Sequence, residues 1–531
     1  MPSFALPGSR VTLLIQVKRL SEPLPRLLVA VGQNSQMPST VHHAENTLDF
    51  DWAGTNPTRI TPQSYRGLFA FHKYWGKKPV ELVSSLVAGL SRPGDLVVDP
   101  FLGSGAIARE THRLGRRFAG TDLNPLAAEL ARMTCELPDL DDFNDAVARL
   151  SAYLEPIAAQ LYQLDDGGIG SHYLWDDKTL RSVWTYPNGR RSREERPPTD
   201  FDLILSADTN AYKVRGMRPL QVRQNGRINT TENMTWPDFF SGRALHIIDE
   251  ILLFANAESN PRVRRALRLT LTSAMGQMSK MVFALEKKGL SKGEISASIS
   301  VGSWAIGLWR PKTHFEVNAW NCFLVRSKKL AGALKKMTPT ERLSVTTANL
   351  LSADLLDDGL IVIDSLSALD WLELLPDGSV SLVVTDPPHG DRIPYLELSE
   401  LWNAALDFDA DWEEELIVSN APGRRKGAER YFSALSAIFT VLKIKLSPTG
   451  HIALMFNSTS AEDWQAIRTL ITDAGLRLDG VLPADYSVRS LVQDNREGAL
   501  KSDVVVLISQ GDQPVAREVT KILQDNNLAE A

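Results

Sequence analysis

The chain has 531 residues and a formal net charge of −6 at pH 7, with 43% hydrophobic and 23% charged residues. This composition is typical of an ordinary globular protein, and the length indicates roughly three domains of about 150 residues each. No stretch approaches the roughly 18 uninterrupted apolar residues of a membrane span. The two cysteines, Cys135 and Cys322, exclude a disulfide scaffold and a cysteine-based zinc cluster. We therefore expect a cytoplasmic protein without a membrane span or a metal site.

The charge is distributed unevenly along the chain. Between Asp165 and Arg342 there are 28 Lys and Arg residues and 18 Asp and Glu residues, a balance of +10 that leaves −16 for the rest. A basic middle region indicates a surface for a polyanion, and an ordinary solvated basic surface is the alternative. Five residues of this region have a spacing that fits a track of phosphates: Lys213, Arg215, Arg218, Arg223 and Arg227.

We expect residues 1–65 to form a flexible amino-terminal arm. Residues 1–36 contain one acidic residue, Glu22, and four basic ones, with no clear periodicity. Their apolar run over 11–15 is too short for a secretory signal. From Met37 onward the sequence is polar and acidic, like an ordinary amino terminus. Residues 1–36 are therefore either part of a flexible arm or a segment ahead of a natural start at Met37.

An aromatic segment precedes the first predicted helix. Residues 71–79 read Phe-His-Lys-Tyr-Trp-Gly-Lys-Lys-Pro, and Pro79 can open a helix over 80–90 at its first turn. Three aromatic side chains and a histidine within five residues are unusual for a solvated loop. The segment therefore indicates a surface that contacts a ligand, and a loop with exposed aromatics is the alternative.

Residues 97–105, Val-Val-Asp-Pro-Phe-Leu-Gly-Ser-Gly, predict the end of a buried strand followed by a glycine turn. A helix over 106–114 and a strand over 117–121 follow, and that strand ends in Asp122. This is the order of the first half of a nucleotide-binding α/β sheet. Gly103 and Gly105 allow the backbone to approach a ligand closely, and Asp122 lies where an acid can bind ribose hydroxyls. The third glycine of a dinucleotide fingerprint is absent, so no pyrophosphate need be bound.

Residues 165–345 interrupt this pattern and predict a mainly helical insert. We expect a polar loop over 165–200, because glycine, proline and charged residues dominate there. Helical spacing of apolar residues predicts helices over 243–255 and 262–285.

The α/β pattern resumes over residues 346–511. A buried strand over 381–385 ends in Asp386-Pro387-Pro388-His389. Helices over 429–446 and 461–475 alternate with strands over 451–456, around Val481 and over 503–508, and the last two strands suit a reversed edge of the sheet. The tail over 512–531 is polar and is expected to be partly ordered at best.

These motifs resemble those of S-adenosylmethionine-dependent DNA amino-methyltransferases, and residues 72–125 are similar to bacterial adenine-specific DNA methylases in particular. Residues 99–105 resemble motif I, residues 71–79 resemble motif X, and Asp386-Pro387-Pro388 resembles motif IV. The resemblance implies an α/β class I methyltransferase fold, Rossmann-like and seven-stranded, with catalytic halves over 66–164 and 346–511. It implies that S-adenosylmethionine is held by His72, Tyr74, Asp99, Phe101, Gly103, Gly105, Asp122 and Asn124.

The chemistry of motif IV depends on how an exocyclic amine is activated. Asp386 and the Pro387 carbonyl can each accept a hydrogen bond from such an amine, which directs the nitrogen lone pair at the methyl group. The base must leave the duplex to reach them. His389 departs from the family pattern, where an aromatic residue follows the prolines, and Tyr395 is a candidate for the missing aromatic face. Methylation at cytosine C5 is disfavoured because neither cysteine lies at motif IV.

The resemblance implies a DNA methyltransferase acting on double-stranded DNA with a flipped base, with adenine N6 favoured over cytosine N4. Such enzymes commonly occur with restriction or phage-defence partner proteins. The insert is expected to recognise the target or to form a dimer. Two alternatives remain open: an RNA amino-methyltransferase, and a subunit that binds cofactor or DNA and has weak or no catalysis because of His389.

Overall fold

The computed structural model describes residues 67–186, 193–291, 294–304, 307–337, 346–348, 360–388, 390, 393–456, 458, 460–485 and 502–510. The predicted arm over 1–65, the tail over 512–531 and His389 lie outside these residues.

The described strands fall into two sheets. In chain order they are β1 (Leu96–Asp99), β2 (Arg117–Thr121), β3 (His172–Asp176), β4 (Thr179–Thr185), β5 (Glu194–Arg196), β6 (Val282–Ser291), β7 (Glu294–Trp304), β8 (Thr313–Val317), β9 (Thr346–Ala348), β10 (Leu360–Asp364), β11 (Val380–Thr385), β12 (Leu446–Phe456), β13 (Arg477–Asp485) and β14 (Ser502–Ser509).

The described helices cover both faces of the larger sheet and fill the insert. They are α1 (Val80–Leu90), α2 (Ala106–Arg113), α3 (Pro125–Cys135), α4 (Leu140–Leu161), α5 (Asp200–Thr209), α6 (Trp236–Phe239), α7 (Gly242–Ala257), α8 (Pro261–Met278), α9 (Ala319–Lys335), α10 (Ala368–Glu373), α11 (Tyr395–Ala405), α12 (Ala428–Lys445) and α13 (Ala461–Asp473). Among the described residues, no helix combines the length and the apolar character that a membrane crossing requires.

The larger sheet is mostly parallel and has the order β13-β14-β12-β11-β1-β2-β10-β9. Strand β1 lies between β2 and β11 with parallel pairing on both sides, and β14 pairs antiparallel with β12 and β13. The four residues of β1 are all buried, as expected for a parallel strand with helices over both faces. The sheet has eight strands where seven were predicted, because β9 adds to the edge beside β10.

The insert contains a second sheet, which the prediction of a mainly helical insert omitted. This six-stranded antiparallel sheet has the order β5-β4-β3-β8-β6-β7. The expected polar loop over 165–200 is wrong, since β3, β4 and β5 lie within it. Tyr173 pairs with Val183 while the adjacent Trp184 pairs with His172, so the buried Tyr173 and Trp184 lie on opposite faces of this sheet. Strands this short, covered on both faces and flanked by turn residues, carry no clear alternation in sequence.

The helix predicted over 262–285 ends earlier, and its last residues belong to a strand. Helix α8 stops at Met278, Ser279 adopts an extended conformation, and β6 begins at Val282. Val282 and Phe283 pair with β7 and β8. The apolar run was compatible with either element, and tertiary pairing selected the strand.

Arginines of the insert bind it to helices that flank the larger sheet. Arg265 of α8 donates to Glu129 Oε1 at 2.9 Å and to Glu136 Oε2 at 2.6 Å. Arg218 donates to Glu400 Oε1 on α11 at 2.8 Å and to the Phe408 carbonyl at 2.7 Å. These contacts join the insert to α3 and to α11.

The same ion pairs change the interpretation of the basic stretch over 213–227. Arg215 pairs with Asp249 and Glu250, and Arg218 pairs with Glu400. Arg223 donates to the Gly423 carbonyl. Acids of this chain thus balance the charges of Arg215 and Arg218, which weakens the indication that these two residues belong to a phosphate track.

A buried ion pair lies at the centre of the insert. Glu316 of β8 accepts from Arg243 Nε at 3.0 Å and Nη2 at 2.8 Å, and also from Ser241 and Trp175. Burial alone would raise the pKa of Glu316, but the Arg243 guanidinium lowers it below its usual value. Both side chains are almost completely buried, so removal of one charge leaves the other without compensation.

We expect Glu316→Gln to lower the free energy of unfolding by about 3–5 kcal/mol, because it leaves the Arg243 cation buried and unpaired. Urea denaturation followed by tryptophan fluorescence measures the change. Arg181→Met is the matched control, since Arg181 pairs with Asp176 but is 58% exposed and such pairs contribute about 1 kcal/mol or less. Equal effects of the two substitutions would contradict the structural importance of the buried pair.

Candidate active site

A cavity of about 170 Å³ lies beyond the carboxyl ends of β1, β2 and β11. Ligands bind at this edge of open α/β sheets. The cavity brings together many of the residues singled out in the sequence: Tyr74, Asp99, Phe101, Gly103, Asp122, Asn124, Asp386 and Pro388. Tyr395, at the start of α11, also lines it.

Asp99 ends β1 and carries a carboxyl oxygen directed into buried space. Its Oδ1 accepts from the Phe101 N–H at 3.0 Å and from Thr385 Oγ1 at 2.8 Å. Its Oδ2 is buried without a hydrogen-bond partner in the structure. Burial raises the pKa of Asp99 to about 8, although the two hydrogen bonds oppose this rise. A buried acceptor of this kind suits a ligand that brings a cationic donor.

Asp122 follows β2 and organises the glycine turn. Its Oδ2 accepts from the Gly103 N–H at 2.8 Å, and its Oδ1 accepts from the Asn124 N–H at 2.9 Å. Burial raises the pKa of Asp122 to about 6, against the effect of these hydrogen bonds. Each carboxylate oxygen has a second lone pair, so Asp122 can still accept from hydroxyl groups of a ligand.

Asn124 connects three elements around the cavity. Its Oδ1 accepts from the Leu126 N–H at 3.2 Å, which caps α3. Its Nδ2 donates to Tyr74 Oη at 3.3 Å and to Ser399 Oγ at 2.8 Å, and its Oδ1 also accepts from Asn403 Nδ2 at 3.0 Å. Ser399 and Asn403 are one helical turn apart on α11. Ser399 and Asn403 were not identified from the sequence. Two polar residues at this spacing within a helix rich in apolar residues could have indicated them.

The Asp-Pro-Pro turn after β11 is held from two sides. Thr385 bonds to Asp99 on the neighbouring strand, and Tyr431 Oη of α12 donates to the Pro388 carbonyl at 2.6 Å. Asp386 and Pro388 line the cavity. Tyr431 could not be identified from the sequence, because a buried tyrosine within an amphipathic helix gives no local sign of its partner.

Tyr74 of the aromatic segment lines this cavity, but His72 does not. Its Nδ1 donates to the Lys73 carbonyl at 2.7 Å, and its Nε2 lies 3.0 Å from Thr272 Oγ1 on α8. Burial lowers the pKa of His72 to about 3, so the ring is neutral. The imidazole joins the aromatic segment to the insert, and its predicted cofactor contact does not occur at this cavity.

Gly105 is required by packing rather than by close approach of a ligand. It has a φ of +82°, and a Cβ built there would lie 2.5 Å from Ala131 Cα of α3. Gly105 is therefore where α2 and α3 touch, while Gly103 donates its N–H to Asp122 at the cavity wall.

Both cysteines are buried away from the cavity lining. Burial raises the pKa of Cys135 and of Cys322 to about 12. Their thiols are therefore protonated near neutral pH and are poor nucleophiles, which agrees with the interpretation of both as ordinary buried cysteines.

The mixed α/β architecture, with its mostly parallel sheet and a cavity at the strand ends, is consistent with a methyltransferase fold. Residues 34–133 match the N6/N4 methyltransferase family model, which is described as DNA methylase. The predicted resemblance to S-adenosylmethionine-dependent DNA amino-methyltransferases is confirmed by this match and by the curated relatives.

Three curated relatives are type II methyltransferases. The chain is 32% identical to M2.DpnII of Streptococcus pneumoniae over 85 residues, which is 16% of this chain and 25% of that protein. It is 27% identical to M.HpaI of Haemophilus parainfluenzae over 137 residues, 25% of this chain and 44% of that protein. It is 45% identical to M1.MboII of Moraxella bovis over 47 residues, 9% of this chain and 18% of that protein. The chain thus spans less than half the length of each relative.

We expect Asn124→Ala to lower the free energy of unfolding by at least about 2 kcal/mol. The substitution removes the cap of α3 and the bonds to Tyr74, Ser399 and Asn403. Urea denaturation is the measurement, and Asp139→Ala is the control. Asp139 caps α4 from the surface, so its loss should lower the free energy of unfolding by about 1 kcal/mol. An Asn124 effect no larger than the control would contradict its connecting role.

Proposed function

We propose that this chain is a DNA methyltransferase that moves a methyl group from S-adenosylmethionine to an exocyclic amine of a flipped base. Adenine N6 is favoured over cytosine N4 as the amine. One observation carries the proposal: Asp386 and Asp99 lie at the same cavity, joined through Thr385, which bonds to Asp99 and precedes Asp386 in the chain. An amine acceptor and a cofactor acceptor are thereby adjacent. The family match over residues 34–133 supports the same class of reaction.

The cavity residues fit S-adenosylmethionine. The α-ammonium group of the cofactor matches the unpartnered Asp99 Oδ2, and its ribose hydroxyls match Asp122. Phe101, Tyr74 and Asn124 line the remaining wall, and the Gly103 backbone closes it. When bound, the cofactor supplies an electrophilic methyl group on a sulfonium centre.

Asp386 and the Pro387 carbonyl then position the amine. Each accepts an N–H from the target nitrogen, so the lone pair is directed away from the ring and toward the methyl carbon. Bound S-adenosylmethionine would supply the methyl group and keep the C–S electron pair, while the amine held by Asp386 and the Pro387 carbonyl would provide the electrons of the new N–C bond and release one proton to solvent. Proline fixes φ at 387 and 388, and Tyr431 holds the Pro388 carbonyl. Tyr395, at the cavity wall, is the candidate aromatic contact for the base.

The partners follow from this reaction. We infer double-stranded DNA with the target base flipped as the substrate, and restriction or phage-defence proteins as candidate partners. We assign target recognition to the insert, because its arginines hold both α3 and α11 beside the cavity. The reaction does not require a membrane, and we infer a cytoplasmic site of action.

The function is tested by modification-sensitive sequencing of DNA from a methylation-deficient bacterium that expresses the chain. We expect a methylated motif with the intact protein and none with Asp386→Ala, because the amine loses its acceptor. Asp377→Ala is the matched control, since Asp377 is a surface carboxylate that pairs with Lys445, and it should leave the mark intact. A mark that survives Asp386→Ala would refute the amine site. The absence of a mark with the intact chain would instead favour RNA or a binding subunit.

The cofactor site is tested by the pH dependence of S-adenosylmethionine binding. Below its pKa of about 8, Asp99 becomes protonated and can no longer pair with the ammonium group. We expect affinity measured by calorimetry to fall about twentyfold between pH 7.5 and pH 6. Asp99→Asn should bind weakly and lose most of this dependence, whereas Asp95→Asn, in the turn before β1, should keep it. If the cofactor affinity of Asp99→Asn kept the pH dependence of the intact chain, Asp99 would not be part of the cofactor site.

A further inference from the structure

The loop before α1 places a lysine on the carboxylate of the Asp-Pro-Pro turn. Lys78 Nζ lies 3.2 Å from Asp386 Oδ1, and the two side chains are 10% and 13% exposed. Pro79 precedes the first residue of α1, so the backbone on one side of Lys78 is fixed by a helix. The ion pair is therefore part of an ordered wall of the cavity.

The preceding residues bring this loop close to the amine site. Gly76 has a φ of +71°, and a Cβ there would lie 2.9 Å from Tyr395 Oη and 3.9 Å from Asp386 Oδ2. The loop thus touches both Asp386 and the aromatic wall. A ligand group that approaches Asp386 Oδ1 enters the space beside the Lys78 ammonium.

The neighbouring lysine is engaged elsewhere. Lys77 Nζ donates to the carbonyls of Phe69 at 2.8 Å and His72 at 2.6 Å. Lys78 is therefore the lysine of this loop that pairs with Asp386.

The surroundings of the ion pair are predominantly acidic. The titratable groups that line the cavity or act on it from the packed elements are Asp99 on β1, Asp122 after β2, Glu414 and Glu415 before α12, Tyr74 and Lys77 in the loop, Tyr395 on α11 and Tyr431 on α12. Burial, and then the charge of Glu397, raise the pKa of Glu415 to about 7, although the cations Arg424 and Lys426 oppose this rise. Acids gathered in this way disfavour one another's charged forms, whereas the Lys78 ammonium beside Asp386 Oδ1 favours the charged form of that carboxyl group.

We propose that Lys78 is a positioning residue of the amine site: its ammonium favours the carboxylate form of Asp386 until the target amine arrives and replaces the ammonium beside that carboxylate. This inference rests on the proposed methyl transfer. Replacement is required because the nitrogen gains positive charge as its lone pair attacks the methyl carbon. A cation held within a few ångströms of that nitrogen would oppose the transfer.

The test compares pH profiles, because kcat/KM reports ionisations of the free enzyme and kcat reports those of the substrate complex. The full chain is assayed with unmethylated genomic DNA as the varied substrate and with saturating radiolabelled S-adenosylmethionine, so that the ionisation of Asp99 in the cofactor site does not set the acid limb. In Lys78→Met, we expect the acid limb of kcat/KM to move up by about one pH unit or more, while the acid limb of kcat stays in place. Lys78→Arg should restore the intact profile because it retains the cation.

The control removes a positive charge from the same loop without touching Asp386. Lys73 lies 4.8 Å from the ring centre of Trp304 and is exposed, so Lys73→Met should leave both limbs unmoved. Unmoved limbs in Lys78→Met as well would overturn the proposal. An equal shift of both limbs would also overturn it, because Lys78 would then remain in place beside the bound base.

A second measurement separates this inference from the proposed function. Carbon-13 NMR titration of labelled aspartates, with Asp386→Asn to identify the signal, needs neither DNA nor turnover. Lys78→Met and Lys78→Gln should each raise the midpoint of the Asp386 signal by about one pH unit or more. An unchanged midpoint would overturn the role of Lys78 even in an active enzyme. A raised midpoint in a chain that transfers no methyl group would support the ion pair and reject the methyltransferase proposal.

Discussion

A hydrogen bond from Thr385 to Asp99 joins the ends of two neighbouring parallel strands whose residues are 286 positions apart in the chain. Because β1 and β11 pair along their length, their carboxyl ends open at the same edge of the sheet. This places Asp99, the last residue of β1, beside Asp386, which follows β11. The cavity, the glycine turn and the Asp-Pro-Pro turn all take their positions from this pairing.

The insert contributes to that arrangement although it lies between the two catalytic halves in sequence. Arg265 holds α3, whose cap is Asn124, and Arg218 holds α11, which begins at the cavity wall. Asn124 in turn bonds to Ser399 on α11. The insert is thus bonded to the two helices that carry cavity residues. A change in the position of the insert would therefore act directly on the cavity wall.

Electrostatics sets a second condition on the cavity. Several buried carboxyl groups face one space, and burial raises the pKa values of Asp99 and Asp122. Such a site favours ligands that bring positive charge or hydrogen-bond donors. The ion pair of Lys78 with Asp386 brings a cation into this acidic site. The cation comes from a loop before β1 rather than from the strand that carries Asp386.

The sequence by itself determined the strand ends and their acids. Buried apolar runs that stop at Asp99, Asp122 and Asp386 are local signals, and the carboxyl ends of parallel strands share one edge whatever the rest of the chain does. The eighth strand, the three residues Thr346–Ala348, and the sheet of the insert could not be predicted, because segments this short are compatible with more than one element until a partner strand is present.

Only the tertiary structure decided which polar side chains meet. His72 resembles a cofactor contact in sequence, but it is buried against Thr272, 200 residues later. Tyr431 reaches the Pro388 carbonyl and Lys78 reaches Asp386 across distances in sequence that no local pattern records. Hydrogen bonds and ion pairs depend on the final separation of two atoms, and that separation is fixed by the packing of whole elements.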